Sequence, residues 1–237
     1  MGQASRTELA EAYLLHRRNY RETSMLLDFF TRSHGRLTLL GKGTRRQKSH
    51  HAAVLWPFVP LAVSWSGRSD LPVMINAERT GPAGLHDPRR LACALYLNEL
   101  TVHLLAPGDP HPRLFDLYRT TIHELAADPE PATVLRFFEL SFLEEIGYAL
   151  ALERDIETGE PIRSDRFYEY RVEHGPVESE AAVGCIRGST LLALRHRNLD
   201  TALAMREAKG LMRRVIAHHL GGRRLRSREL LKYSPHV

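Results

Sequence analysis

The chain has 237 residues, 43% of them hydrophobic, which suits one or two globular domains and excludes a disordered protein. Its formal net charge is +5, and its 2 cysteines, Cys93 and Cys185, are too few and too far apart for a disulfide framework or a cysteine-based zinc site. No segment approaches the roughly 20 apolar residues of a membrane span, and the N-terminal residues do not resemble a secretory signal, so we expect a cytoplasmic protein.

The first 80 residues predict β structure, because short apolar or alternating runs are separated by polar and glycine-bearing turns. The runs are EAYLLHRR, TSMLLDFFT, RLTLLGKG, VLWPFVPLAVSWSG and LPVMINAE. Five short strands of this kind predict a small barrel. Pro57 and Pro60 place the fourth run either at a sheet edge or at a bend, and the bend is favoured.

The residues after position 80 predict helices. Asp87 and Pro88 suit the cap and first turn of a helix that stops at Pro107-Gly108. Two further helical segments follow, HPRLFDLYRTTIHELAADPEP and ATVLRFFELSFLEEIGYAL. The second is apolar around its circumference, which is typical of a central, buried helix.

The last third of the chain begins with an irregular excursion at residues 151–186, which carries turn residues and one Tyr-rich strand candidate. Helical periodicity returns from Gly188 to Leu194, and again from Asp200, a suitable N-cap, to the stop at Gly221-Gly222. We therefore predict an α+β protein, with a barrel in residues 1–80 and a mainly helical domain in residues 81–237.

The stretch HGRLTLLGKGTRRQKSHH contains glycines and a lysine but lacks the spacing of a phosphate-binding P-loop. A P-loop has four residues between its first glycine and a Gly-Lys pair, and Ser or Thr follows the lysine. Here five residues separate Gly35 from Gly41, and Lys42 precedes Gly43. The stretch instead predicts a β-turn within a basic loop, suited to binding and not to hydrolysis.

Patterns for catalysis or metal binding are weak. The adjacent pairs His50-His51 and His218-His219 cannot chelate a metal alone, because neighbouring side chains on a strand or helix point in different directions. No G-x-S-x-G turn and no activated cysteine motif is present. We expect a protein that is not an enzyme and that uses no cofactor or metal.

Basic residues cluster in two acid-poor stretches, Phe29 to Ser69 and residues 206–232. A patch of a single sign attracts a polyanion, although a basic surface without function stays open, as does a GC-rich genome for the excess of Arg over Lys. Arg206, Lys209 and Arg213 share one stripe of the last long helix, beside an apolar stripe. This ridge suits phosphates or an acidic, apolar peptide.

The residues also resemble a known family. The segments YLLHRRNYRETSMLLDFFTRSHGRLTLLGKGTRR, LWPFVPLAVSWSGRSDL, LYLNEL, LRFFELSFLEEIGYAL and AKGLMRRVIAHHLGGRRLRSREL look like those of the bacterial DNA repair and recombination mediator RecO. The likeness runs from about Ala12 to Leu230. It implies an N-terminal OB-fold barrel followed by a helical domain.

The resemblance implies a DNA-binding activity without catalysis. Its members bind single- and double-stranded DNA, anneal complementary strands, and act with RecR, and in some contexts RecF, to load RecA onto strands covered by single-stranded DNA-binding protein. They also engage the acidic C-terminal tail of that coating protein. We expect the same partners here, and a nucleoid-associated location.

The predicted DNA-binding residues are Arg17, Arg18, Arg21, Arg36, Lys42, Arg45, Arg46, Arg223, Arg224, Arg226 and Arg228. Those predicted to bind the tail are Arg136, Lys209 and Arg213 for its acidic groups and Leu135, Phe138 and Leu211 as an apolar floor. Phe30, Tyr20 and Trp65 are candidates for base stacking, or else core residues. Some members of the family carry a four-cysteine zinc site in the excursion, where this chain has Cys185 alone, so we predict no zinc.

Two alternatives stay open. An OB-fold RNA-binding assembly factor would use the same phosphate contacts, which do not separate RNA from DNA. A metal-dependent nuclease would need a carboxylate cluster for Mg²⁺, and the basic N-terminal half shows no such cluster.

Overall fold

A computed structural model describes residues 9–45, 50–67, 69–82, 84–127 and 130–232. These residues form two compact units, one made of residues up to 127 together with 225–232 and the other of residues 130–224. In chain order the elements are β1 (Ala10–Tyr20), β2 (Ser24–Thr31), β3 (Gly35–Gly41), α1 (His50–Val54), β4 (Leu61–Ser66), β5 (Val73–Arg79), α2 (Pro88–Leu104), α3 (Pro112–Ala127), α4 (Pro131–Glu145), β6 (Phe167–Arg171), β7 (Gly175–Ser179), β8 (Ile186–Arg187), α5 (Gly188–Arg195), α6 (Ala202–His219) and α7 (Ser227–Lys232).

The first five strands close into a barrel in the order β1-β2-β3-β5-β4, which confirms the predicted five-stranded barrel. β1 is long enough to pair with β4 through Ala10 and with β2 through its later residues. A register shift between Leu14 and His16 bends the strand between these two pairings. Only the contact between β3 and β5 is parallel.

Alternation fills the barrel. Leu27 and Phe29 of β2 and Leu39 of β3 are fully buried and pack with Leu14 and Val63 in one apolar cluster. Because side chains two apart on a strand share a face, this pattern in the sequence sets the register of the whole barrel.

The fourth predicted strand is only half correct. Its first residues end the short helix α1, and the segment with Pro57 and Pro60 precedes β4, which begins at Leu61. The two prolines therefore lie outside the strand, and the prediction of a bend within it was wrong. Phe58 has a φ of 64°, in the left-handed region, where the chain turns toward β4.

Helices α2, α3 and α7 belong to the same compact unit as the barrel. Asp87 accepts hydrogen bonds from the backbone N–H groups of Arg89 and Arg90 at 3.0 and 3.1 Å, which confirms the predicted N-cap of α2. Between barrel and helices lies an aromatic cluster in which the rings of Tyr13 and Tyr118 are 5.0 Å apart. Phe30 and Phe115 complete this cluster, with ring centroids 5.4 Å apart.

The second unit contains α4, α5 and α6 and a three-stranded sheet in the order β7-β6-β8. The sheet lies in the predicted excursion, and β6 is the predicted Tyr-rich strand. α4 is buried along most of its length, as predicted. The N-cap of α6 is Thr201, whose side chain accepts from the N–H of Ala204, one residue beyond the predicted Asp200.

Candidate nucleic-acid interface

Three of the predicted DNA-binding cations meet at one end of the barrel. The backbone N–H of Arg45 donates to the carbonyl of Thr23 at 3.1 Å, and Arg45 Nη1 donates to the carbonyl of Arg21 at 2.9 Å. These bonds fasten the loop after β3, which carries Lys42, to the turn between β1 and β2. The basic residues of two separate segments are thereby held together.

An open depression of about 790 Å³ lies at this end of the barrel. It is lined by Tyr20, Arg21, Glu22, Thr23, Ser24, Leu40, Lys42 and Gly43. Arg21, Lys42 and Arg45 are exposed, and none of them forms an ion pair with a carboxylate in the described ranges. We call this set of three cations the barrel-end cluster. Its free positive charge can neutralise phosphates.

Other predicted cations of the barrel are already engaged. Arg18 Nη2 lies 3.5 Å from Asp28 Oδ2, so a buried carboxylate offsets part of its charge. The half-buried Arg36 donates from Nε to the carbonyl of Leu105 at 3.2 Å, and burial lowers its pKa. Arg36 therefore ties β3 to the end of α2, and we remove it from the proposed DNA-binding surface.

The acid-free stretch of sequence is not free of acids in space. Arg32, from that stretch, donates to Asp116 of α3 at 3.0 Å, and this hydrogen bond lowers the pKa of the Asp116 carboxyl. Acids that are remote in sequence therefore neutralise some of the basic residues. Arg46, a further candidate, lies outside the described residues.

Arg17 has a different environment from the barrel-end cluster. Its Nη1 donates to the carbonyl of Leu55 at 3.5 Å, and its guanidinium lies 5.6 Å from the ring centroid of Trp56. Trp56 is 50% exposed. Nothing in the sequence singled it out, because an apolar run such as VLWPFVP gives no sign of which member faces water.

The aromatic residues chosen from the sequence for stacking differ in their accessibility. Phe30 and Trp65 are buried and belong to the interior of the first unit. Tyr20 is half-buried, and its ring lies 5.3 Å from the guanidinium carbon of Arg21. Of these three, only Tyr20 remains accessible to a ligand.

The C-terminal basic residues also divide. Arg224 and Arg226 are exposed, and Arg223 is exposed as well. The guanidinium of Arg228 lies 6.0 Å from the ring of Tyr96, with a buried Nη2 that has no hydrogen-bond partner among the described residues. Arg228 thus packs α7 against α2, and we remove it from the proposed DNA-binding set.

The residues predicted to bind an acidic tail lie mostly inside the second unit. Leu135, Phe138 and Leu211 are fully buried, so they form no open floor, because α4 is central and packs against α6. Arg136 is only 6% exposed, and its Nη2 donates to Glu139 at 2.9 Å.

The polar part of the predicted tail site is more accessible. Lys209 is half-buried and Arg213 is exposed, both on α6. Arg136 Nη1 is buried and has no hydrogen-bond partner within the described part of the chain. We keep these three cations as tail candidates and remove the apolar residues.

The histidine pair on α6 has ordinary partners. His218 Nε2 lies 3.3 Å from a carboxylate oxygen of Glu173, and the ring of His219 stacks on that of Tyr148 at 4.0 Å. Burial lowers the pKa of His219. Among the residues with described positions, no group of three His, Cys, Asp or Glu side chains is placed to hold a metal ion, and no helix is long and apolar enough to cross a membrane.

The chain matches family models along nearly its whole length. The model described as Recombination protein O N terminal covers residues 6–82, and that described as Recombination protein O C terminal covers residues 85–229. The chain belongs to the RecO family. This membership confirms the resemblance found in the sequence and supports a role in DNA repair and recombination.

Several proteins named DNA repair protein RecO are similar to this chain. That of Methylococcus capsulatus is 52% identical over 233 residues, which cover 98% of this chain and 96% of the relative. That of Nitrosococcus oceani is 42% identical, covering 96% of this chain and 94% of the relative, and that of Azoarcus sp. is 38% identical, covering 98% of both. These RecO names describe DNA repair and no catalytic activity.

Proposed function

We propose that this RecO-family chain is a DNA-binding recombination mediator that binds single- and double-stranded DNA and anneals complementary strands. The observation that carries the proposal is the barrel-end cluster, in which Arg21, Lys42 and Arg45 surround an open depression without a carboxylate partner among the described residues. Arginine and lysine contacts to phosphate require no particular base sequence.

Annealing needs two phosphate backbones to be neutralised while the base edges stay free to pair. The barrel-end cluster supplies charge without a deep groove that would bury the bases, since its depression is open. Exposed Arg224 and Arg226 are a second set of candidate phosphate contacts. No nucleotide hydrolysis is required, because pairing of complementary strands is favourable once repulsion between their backbones is reduced.

The test is an annealing assay on complementary strands coated with single-stranded DNA-binding protein, with and without Mg²⁺ and ATP. We expect duplex formation without either, and a loss of roughly tenfold or more in DNA affinity for the double variant Arg21→Glu/Arg45→Glu. The exposed Arg113→Glu is the single-site control on α3. Shortened product strands would favour a nuclease, and preference for an RNA strand would favour an RNA-binding assembly factor.

We further propose that the second unit binds the acidic C-terminal tail of single-stranded DNA-binding protein, and that the chain acts with RecR, and in some contexts RecF, to load RecA. Exposed Arg213, half-buried Lys209 and the buried, unpartnered Nη1 of Arg136 provide cations on or near α6. We expect Arg213→Ala to weaken binding of the tail peptide more than binding of naked DNA, and Arg45→Ala to do the reverse. Equal losses in the two titrations would contradict separate sites.

Replacement of Arg136 tests the same site less cleanly. Arg136→Ala is expected to reduce affinity for the tail peptide more than affinity for DNA, but it also leaves the buried Glu139 without its arginine. A melting curve must therefore accompany this variant. Arg136→Lys, which keeps a positive charge beside Glu139, is the matched control.

A further inference from the structure

Trp56 combines a large apolar ring with exposure to water. It is 50% exposed, whereas Trp65, the only other tryptophan of the chain, is 6% exposed. Among the aromatic residues with described side chains, only Trp56 and Tyr148 are exposed, and Tyr148 is covered by its stack with His219. Trp56 is thus an exposed indole on which no described ring stacks.

The backbone that carries Trp56 is held in place on both sides. Leu55 is buried in the barrel core, and the carbonyl of Leu55 accepts from Arg17 of β1 at 3.5 Å. On the other side, Arg79 of β5 donates from Nη2 to the carbonyl of Ala53 at 2.5 Å and from Nε to that of Val54 at 3.5 Å. The indole therefore projects from a fixed segment, which lowers the entropy lost on binding.

The charge around the ring is positive. The Arg17 guanidinium lies 5.6 Å from the centroid of Trp56, and Arg79 is exposed nearby on the same short segment. Neither arginine forms an ion pair with a carboxylate in the part of the chain that the structure describes. An aromatic face beside free cations fits a ligand with a flat π system and an adjacent negative charge, which is the chemistry of a nucleotide in a single strand.

We infer that Trp56 is a stacking site for a nucleobase of single-stranded nucleic acid, with Arg17 contacting the adjacent phosphate. The inference rests on the proposed DNA-binding function and adds a contact that depends on the base. A duplex hides the faces of its bases in the helical stack, so the site favours unpaired strands. Stacking tolerates any base, which suits binding without sequence preference.

The inference is tested by comparing two strands that differ only in their bases. We would titrate the full chain and Trp56→Ala with a fluorescently labelled oligothymidylate and with an abasic strand of equal length, and measure anisotropy. We expect roughly tenfold or greater loss of affinity for the oligothymidylate and no change for the abasic strand. Trp56→Tyr, which keeps an aromatic face, is expected to recover most of the affinity.

A second measurement uses the indole itself. In a Trp65→Phe background Trp56 is the sole tryptophan, and its fluorescence should be quenched by the oligothymidylate and not by the abasic strand. Equal affinity changes for the two strands, or none, would overturn the stacking site while leaving the phosphate contacts of the proposed function intact. If the parent protein binds neither strand, the proposed function fails, and the stacking site fails with it.

Discussion

At the scale of single residues, two buried side chains link the helices of the first unit to its barrel. The hydroxyl of Tyr118 donates to Asn98 Oδ1 at 2.5 Å, and Asn98 Nδ2 donates to the carbonyl of Leu15 at 2.9 Å. Burial raises the pKa of Tyr118 well above its ordinary value, so the hydroxyl keeps its proton and remains a donor. The chain of bonds therefore joins α3, α2 and β1.

Removal of this hydroxyl tests the link. We expect Tyr118→Phe to lower the free energy of unfolding by roughly 1–3 kcal/mol, because the buried Asn98 oxygen loses its donor. Urea unfolding followed by circular dichroism measures the change. Tyr148→Phe, at a 47% exposed tyrosine, is the control and should change stability by less than about 0.5 kcal/mol. Equal effects would show that the hydroxyl of Tyr118 does not stabilise the fold.

Asp155 plays a comparable part in the second unit. Its Oδ1 accepts from the N–H groups of Glu157 and Thr158 at 2.8 and 2.9 Å, and its Oδ2 accepts from that of Glu178 at 2.5 Å. Burial raises the pKa of Asp155, but these hydrogen bonds favour the carboxylate and lower its pKa overall. One carboxylate thus orders the excursion for which the sequence offered no zinc ligands.

The lowered pKa predicts how stability depends on pH. Because the folded pKa of Asp155 lies below the unfolded value of about 3.9, its stabilisation is present above that value and is lost as pH falls through the folded pKa. We expect Asp155→Asn to unfold more easily than the parent by roughly 1–3 kcal/mol at pH 7, with the difference shrinking below about pH 4. The exposed Asp165→Asn should show no such convergence in urea titrations. A constant difference between pH 7 and pH 3 would contradict the assignment.

At the scale of elements, α7 depends on a single acceptor. Both oxygens of Glu99 on α2 are used: one accepts from the N–H of Arg226 at 2.8 Å, and the other from the N–H and hydroxyl of Ser227 at 2.9 and 2.5 Å. A carboxylate at a helix N-terminus also interacts favourably with the helix dipole. Glu99 therefore fixes the start of α7 against α2.

Loss of Glu99 should release α7 without unfolding the barrel. We expect Glu99→Ala to speed amide hydrogen exchange in residues 228–232 roughly 10- to 100-fold, with little change in β2 and β3. Glu124→Ala, at an exposed glutamate of α3, is the control and should leave both regions unchanged. Unchanged exchange in α7 would mean that packing of Arg228 on Tyr96 holds the helix alone.

The sequence predicted elements where one pattern had one physical meaning. Alternation in TSMLLDFFT could only be a half-buried strand, and Asp87 before Pro88 could only cap a helix. The run VLWPFVP was misread because a short apolar run fits a strand or a buried helical turn equally well. The candidate site was predicted in composition but not in detail, because the acids that neutralise Arg32 and Arg18 come from other segments of the chain.

At the scale of the whole molecule, the same net charge is distributed unequally. In the second unit, exposed arginines such as Arg166 and Arg171 pair with glutamates at 3.5 and 2.7 Å. The barrel-end cluster has no such partners within the described ranges. Mixed signs produce little field beyond the surface, whereas cations of a single sign attract phosphate over about a Debye length. The net charge of +5 therefore understates the potential at the barrel end.

This inequality predicts which arginines set the salt dependence of DNA binding. Each phosphate contact to a single strand contributes about 0.7 to the slope of log K against log salt concentration. We expect the triple variant Arg21→Ala/Lys42→Ala/Arg45→Ala to flatten that slope by about 2, because three contacts are removed. Binding is measured by anisotropy over a salt series.

A matched triple variant removes the same charge from the second unit. Arg163→Ala/Arg166→Ala/Arg171→Ala lowers the net charge by the same amount, but each of these arginines is exposed and lies within 4.0 Å of an acid. Since paired arginines release no counterions on binding DNA, we expect its slope to stay at the parental value. If both triple variants flatten the slope equally, net charge and not the barrel-end cluster governs binding, and the assignment of the DNA-binding surface is wrong.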